Sequence, residues 1–249
     1  MTEDYPTPVA VNRLFERGAG TVVGTTASGH GAAVTAKKER VVAALLDRHG
    51  QTYAEQAGIK LADRPAPLYQ LSVLAVLLSA RIKADIAVAA GRELFRAGCS
   101  SPQKMAAASW QERVDALGRG HYRRYDERTS TMLGDGAQLL VENWRGDLRR
   151  LRAEAAGDTG ALRAALKRLP GLGDVGVDIF FREVQGVWQE VGPFLDKKAR
   201  SGAERVGLRG SETALAKLVA GKDLPRFAAA LVRASLDKSV ADDVRNATG

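Results

Sequence analysis

Apolar residues recur at helical spacing along almost the whole chain after Lys37, and no stretch alternates convincingly over a sheet's worth of strands. Lys38 to His49 puts Val41, Val42, Leu45 and Leu46 on one face, and Gly50 ends it. A Pro-rich link, Arg64 to Pro67, precedes Leu68 to Ala80, which is apolar nearly all round and is expected as a buried central helix. Ala84 to Ala97 is amphipathic, with Gly98 as its stop. Pro102 suits the first turn of a short helix, and Ser109 suits the N-cap of Trp110 to Leu117. Tyr125 to Trp144 reads as a long helix despite Gly134 and Gly136. Thr159 to Leu169 and Val175 to Val184 flank a Leu-Pro-Gly-Leu-Gly turn. Three more helices are predicted: from Asp196 as cap to about Val206, then Glu212 to Val219 and Asp223 to Leu236. Residues 1–35, rich in Gly, Ala, Thr and Ser without apolar period, are expected to be a flexible tail. Gly18, Gly20 and Gly24 in that tail miss the spacing of a nucleotide loop. The predicted class is all-α, with short turns between helices.

Composition narrows the picture. Apolar content is 45% but aromatic content only 6%, so the core must be built from Leu, Val and Ala, which favours helices. The longest apolar stretch, about Leu71 to Ala80, falls far short of the roughly 20 residues of a membrane span. No apolar signal core follows Glu3 and Asp4, so a cytoplasmic protein is expected, associated with the nucleoid in a bacterial cell. Cys99 is alone, which excludes an internal disulfide and any Cys-based zinc or iron–sulfur site. His30, His49 and His121 are too scattered for a metal site, and no cofactor is expected. The surplus of 37 Lys and Arg over 29 Asp and Glu gives a net charge of +8, which suits either a polyanionic partner or a merely soluble surface.

Candidate chemistry centres on Leu169-Pro170-Gly171-Leu172-Gly173 and on Asp196, 23 residues after Gly173. Helix, Gly-rich turn, helix is the helix-hairpin-helix pattern. Pro170 ends the first helix, and Gly171 and Gly173 let the backbone turn tightly and approach a phosphate. Leu169 and Leu172 are suited to lock the hairpin by packing inward. An ordinary Pro-Gly turn is the alternative. Asp174 favours the helix dipole but opposes a phosphate. Asp196 is a lone carboxylate suited either to chemistry or to capping the helix that follows. Arg81, with Lys83 close by, and the run Tyr122-Arg123-Arg124 are candidate DNA contacts, although Asp126 and Glu127 make a salt-bridged helix start equally apt for that run.

With these residues the chain resembles the helix-hairpin-helix DNA glycosylase superfamily, nearest to its endonuclease III branch, from about Leu68 to Leu236. Leu77-Leu78-Ser79-Ala80 is similar to the branch's LLSAQ segment, with Arg81 where the family has a Gln that fills the gap left by a flipped base. Gly120-His121-Tyr122 resembles its G-x-Y turn, and LPGLG resembles its LPGVG. Phe194-Leu195-Asp196 resembles its apolar-apolar-Asp, which implies Asp196 as the catalytic aspartate. Three features depart from the family. Val175 stands where bifunctional members carry a Schiff-base lysine, the iron–sulfur cysteines are missing, and the segment between hairpin and Asp196 is longer.

The resemblance implies a two-lobed helical glycosylase fold: 62–190 as a six-helix lobe ending in the hairpin, and 36–61 plus 191–249 as the second lobe, with LPGLG and Asp196 facing each other across a cleft. It also implies double-stranded DNA with a damaged or mismatched base as partner, and monofunctional hydrolysis of an N-glycosidic bond with no lyase step. A monomer is expected. A non-catalytic helix-hairpin-helix DNA-binding protein is the second reading, and a helical protein–protein adaptor the third. No residue identifies the base.

Overall fold

The computed structural model describes residues 27–248, which form fourteen α-helices, two short 3-10 turns and no strand. The helices are α1 (Ala27–His49), α2 (Tyr53–Gln56), α3 (Pro65–Ser79), α4 (Ala84–Arg96), α5 (Pro102–Ala107), α6 (Trp110–Arg119) and α7 (Asp126–Trp144). There follow α8 (Leu148–Glu154), α9 (Thr159–Leu166), α10 (Asp174–Val184), α11 (Lys197–Arg205), α12 (Glu212–Ala216), α13 (Leu224–Leu236) and α14 (Lys238–Asn246).

Two helices are apolar enough to be enclosed by others. In α3, Leu68, Leu71, Leu74 and Leu77 are fully buried, and the helix packs against α4, α8 and α10. In α13, residues from Phe227 to Val232 are buried, and α1, α10, α11 and α14 pack around it. Thus α10 touches both hubs. Its own Gly176, Val177 and Ile179 to Val184 are buried, so it is fixed along most of its length. The remaining helix contacts run α4–α6–α7–α5 and α7–α8–α9, with α1 also meeting α14. Burial of this apolar surface, rather than intrinsic propensity, holds such short helices in place.

Several expectations are corrected. The helix expected from Lys38 begins at Ala27, so residues 27–35 are helical and not part of a flexible tail; the rest of that tail lies outside the described residues. The Pro-rich link is largely the first turn of α3, because Pro65 and Pro67 sit where a helix leaves its N–H groups unused anyway. The helix before the hairpin stops at Leu166, short of Leu169, and α12 stops at Ala216. Helices α2, α8 and α14 were not predicted. Ser109 caps α6 as expected, in a capping box with Glu112.

One polar device fixes the α5–α6–α7 corner. Arg113 is 8% exposed, and its Nε donates to the Ser130 carbonyl at 3.0 Å. Its Nη1 donates to the carbonyls of Met105, at 3.0 Å, and Ala108. A buried guanidinium bonded to three backbone carbonyls in this way is a structural rivet.

The last helix is held electrostatically as well. Asp243 accepts from His49 Nε2 at 2.9 Å and from Arg48 Nη1 at 2.8 Å, joining α14 to the end of α1. The His49 hydrogen bond, followed by Arg48, holds the Asp243 carboxyl below its usual range. Because the folded value is lowered, its contribution is present above the ordinary carboxylate range and is lost as pH falls through the lowered value. The melting temperature of Asp243→Asn is therefore expected to fall below wild type at neutral pH and to converge with it in strong acid. A difference that persists unchanged in acid would show that the pair does not hold α14.

Candidate nucleic-acid interface

The hairpin is built by two glycines with different duties. Gly171 has φ of +85°, a left-handed conformation that side chains resist, and a Cβ there would meet the Val76 side chain at 2.9 Å. Gly173 has φ of −74° and is the N-cap of α10; a Cβ there would have nothing within 4 Å. So Gly171 makes the turn, and Gly173 keeps the approach to the backbone open. Leu169 and Leu172 are 7% and 1% exposed and pack inward, leaving only backbone for a partner.

No side chain caps α10, and no described acceptor takes the N–H of Gly171, Gly173, Asp174 or Val175. Free amides at a helix N-terminus, reinforced by the helix dipole, suit a phosphate. Asp174, which opposes that use, is neutralised: its carboxylate lies 2.7 Å from Lys167 Nζ, and that hydrogen bond holds the carboxyl below its usual range.

The hairpin forms one wall of a cleft of about 690 Å³. Arg81 and Ala80, at the end of α3, form another side; Tyr122, Tyr125, Arg128 and Met132 complete it. The cleft therefore brings together hairpin and Arg81, as the sequence suggested, and adds two cations that sequence reasoning missed, Arg128 and Lys167. Lys83, Arg123 and Arg124 are exposed but do not line it; Lys83 is the N-cap of α4, and Arg124 lies over the Tyr125 ring at 5.3 Å. Tyr122 reaches the cleft wall but is only 1% exposed, and burial pushes its phenol pKa up despite a hydrogen bond with Thr129.

Asp196 is not among the residues that line this cleft. It is placed from the other end of α10. Gln185, the C-cap of α10, clamps the backbone of Phe194: its Oε1 accepts from Phe194 N at 2.9 Å and its Nε2 donates to Phe194 O at 3.1 Å. Glu212 accepts from Leu195 N, and Leu195 is buried. Asp196 then caps α11, with Oδ1 accepting from Ala199 N at 2.9 Å. Its Oδ2 lies 3.7 Å from Arg182 Nε, and the two side chains are 8% and 9% exposed.

Val175 and Arg182 are seven residues apart on α10, two turns and roughly 10 Å along one face. Val175 is 60% exposed at the hairpin end; Arg182 marks the Asp196 end. Between them Asp178 is paired with Arg163 at 2.6 Å. Arg163 also lies over the rings of Phe181 and Phe194, which pack edge to face at 5.4 Å. One rigid helix thus connects the uncapped amides to the carboxylate. Neither Arg163 nor Arg182 carried a sequence signal.

Next to Arg182, Glu183 is buried with both carboxylate oxygens taken by the amides of Tyr53 and Ala54, at 3.1 and 3.0 Å. Desolvation nonetheless pushes its carboxyl pKa up. Among the described residues no cluster of His, Cys, Asp and Glu is arranged to hold a metal ion, and no helix is long and apolar enough to cross a membrane.

No family model matches the chain, and no curated protein matches it. Among solved structures, one of a trapped endonuclease III–DNA covalent intermediate, in an estranged-adenine complex, is similar over 78% of this chain and 84% of that chain, at 16% identity and a TM-score of 0.43.

Proposed function

We propose that this chain binds duplex DNA through the Leu169–Gly173 hairpin and releases a damaged or mismatched base by hydrolysing its N-glycosidic bond, with Asp196 as the working carboxylate. The observation that carries the reading is the uncapped start of α10: free amides open onto a cleft rimmed by Arg81, Arg128 and Lys167. The LLSA, GHY, LPGLG and FLD segments, in the order found in endonuclease III-like glycosylases, support the same reading.

In the proposed reaction the target nucleotide leaves the stack, since its glycosidic bond is shielded inside the duplex. Arg81 fills the gap it leaves. As the C1′–N bond breaks, the base departs with the bonding electron pair and positive charge develops on the sugar. The Asp196 carboxylate stabilises that charge and takes a proton from the attacking water, whose oxygen bonds to C1′. Val175 offers no amine, so no Schiff base forms and the strand stays intact.

A second reading has its own support. The Asp196 side chain is 8% exposed, bonded to Ala199 N and beside Arg182, an arrangement that suits a scaffold retained for DNA binding alone. The test is base release from duplexes carrying uracil, oxidised purines and pyrimidines, alkylated bases and mismatches. The expected result is release from at least one duplex, strand cleavage only after alkali, and no adduct trapped by borohydride. Binding whose affinity falls with salt by about 0.9 log unit per log unit and phosphate contact, with no base released, would select the second reading. A borohydride adduct would overturn the absence of a lyase step.

A further inference from the structure

Two arginines in this fold are buried to the same degree and treated oppositely. Arg113 spends its donors on three backbone carbonyls. Arg182, 8% exposed as a residue, has a wholly buried Nε with no hydrogen-bond partner. Asp196 Oδ2 lies 3.7 Å from that Nε, longer than a hydrogen bond and within ion-pair reach. The neighbouring Glu183 carboxyl interacts electrostatically with Arg182, but no hydrogen bond joins it to that Nε; its oxygens accept from the Tyr53 and Ala54 amides. A donor left unsatisfied in a dry site costs stability, and an apolar side chain would fill the same place on α10 without that cost.

The Asp196 carboxylate is divided in a matching way. Ala199 engages Oδ1, and Oδ2 is the oxygen turned to Arg182. Rotation of the carboxylate about its bond to Cβ moves both oxygens together, so the Ala199 bond and Arg182 restrain the same rotation from its two sides.

We infer that Arg182 is a positioning residue for Asp196: its guanidinium fixes Oδ2, the oxygen the helix cap leaves available, and ties it to the same helix that begins at the DNA-binding hairpin. The inference rests on the reading of Asp196 given above. It makes α10 a ruler, with its amides holding the backbone at one end and Arg182 setting the carboxylate about two turns past Val175. The unfilled donor is then the cost of holding a carboxylate in place without locking it in a short, fully closed salt bridge.

The test uses the full chain and its Arg182→Lys, Arg182→Met, Asp196→Asn and Arg182→Met/Asp196→Asn forms. Single-turnover base release is measured on the lesion panel, and binding on a duplex with a tetrahydrofuran abasic analogue. Arg182→Met is expected to slow release about 100-fold, the scale of a small misplacement of a catalytic group, with the half-saturating protein concentration little changed. Arg182→Lys restores charge but not the planar fork and is expected to recover part of the rate. The double form is expected to be no slower than Asp196→Asn alone, because the arginine acts through the aspartate. Unchanged release by Arg182→Lys and Arg182→Met, or a double form slower than Asp196→Asn by the full product of the single effects, overturns the inference while leaving the base-release reading intact. If Arg182→Met does not fold, Arg182→Lys decides: full wild-type rate overturns, and a slower rate at unchanged affinity supports. A wild-type chain that binds the abasic duplex and releases no base removes the catalytic reading and the inference with it.

Discussion

Asp196→Asn is expected to lower base release by about 10²–10⁴-fold, the range of a lost general acid–base group, while DNA affinity stays the same or rises slightly. The substitution separates two jobs that the structure joins in one side chain. Asn caps a helix about as well as Asp, so the bond to Ala199 N and the start of α11 survive. What disappears is the negative charge, and with it both the counter-charge for the departing base's sugar and the partner of the buried Arg182. The latter loss costs stability, on the order of 3–5 kcal/mol for a buried ion pair broken by removing one partner. Asp196→Ala removes the cap as well and is expected to be about 1 kcal/mol less stable again, with no further loss of turnover. Parallel urea denaturation and single-turnover release distinguish the contributions. If both variants release base at the wild-type rate, Asp196 is a cap only, and another group carries the hydrolysis.

How much of this could be read from the chain depends on how local each cause is. The hairpin was legible because its cause is local: a left-handed residue at 171 needs glycine, and the Pro-Gly sequence announces it. Strongly periodic helices such as α4, and helices with a cap and box such as α6, were legible for the same reason. Helix α2 has only four residues and is stabilised by Thr52, Glu55 and the remote Glu183, so periodicity had nothing to act on. The end of α13 at Leu236 was legible, but α14 was not: a single Asp237 both ends one helix and caps the next, with no loop to announce another element.

The functional side chains divide in the same way. Asp196 stood out through its motif, whereas Arg182 acts on it from fourteen positions upstream and through no pattern. Lys167 is two residues before the hairpin's first leucine and reads as a surface lysine; only the fold shows it quenching Asp174 and rimming the cleft. Tyr122 lines the cleft while being almost wholly buried. A tyrosine between His121 and Arg123 looks like a stacking platform, yet the close turn at Gly120 drives it into the core. A Cβ on Gly120 would meet the Ala90 backbone at 2.4 Å, which fixes how near that turn lies to α4.

Gly202→Ala is expected to destabilise the chain by at least about 3 kcal/mol, at the upper end of overpacking effects, and to remove base release in proportion to the unfolded fraction. Gly202 is buried in α11 where that helix crosses α13. An added Cβ would lie 1.8 Å from the Leu231 carbonyl oxygen and 2.6 Å from its carbon. Both obstacles are backbone of a buried helix, so no rotamer change relieves them and the two helices must separate. On propensity alone the change from Gly to Ala inside a helix would stabilise by about 1 kcal/mol, so the sign of the measured effect decides which cause wins. Since α11 begins at the residue capped by Asp196, its displacement also moves the carboxylate relative to Arg182, which stays with α10. Among molecules that remain folded, release is therefore expected to be slower than wild type, whereas binding through the hairpin, on the opposite end of α10, is little changed. Urea denaturation gives the first quantity, and release normalised to the folded fraction gives the second. A Gly202→Ala chain as stable as wild type would mean that α11 does not press against α13 as described, and that Asp196 is held by something other than this crossing.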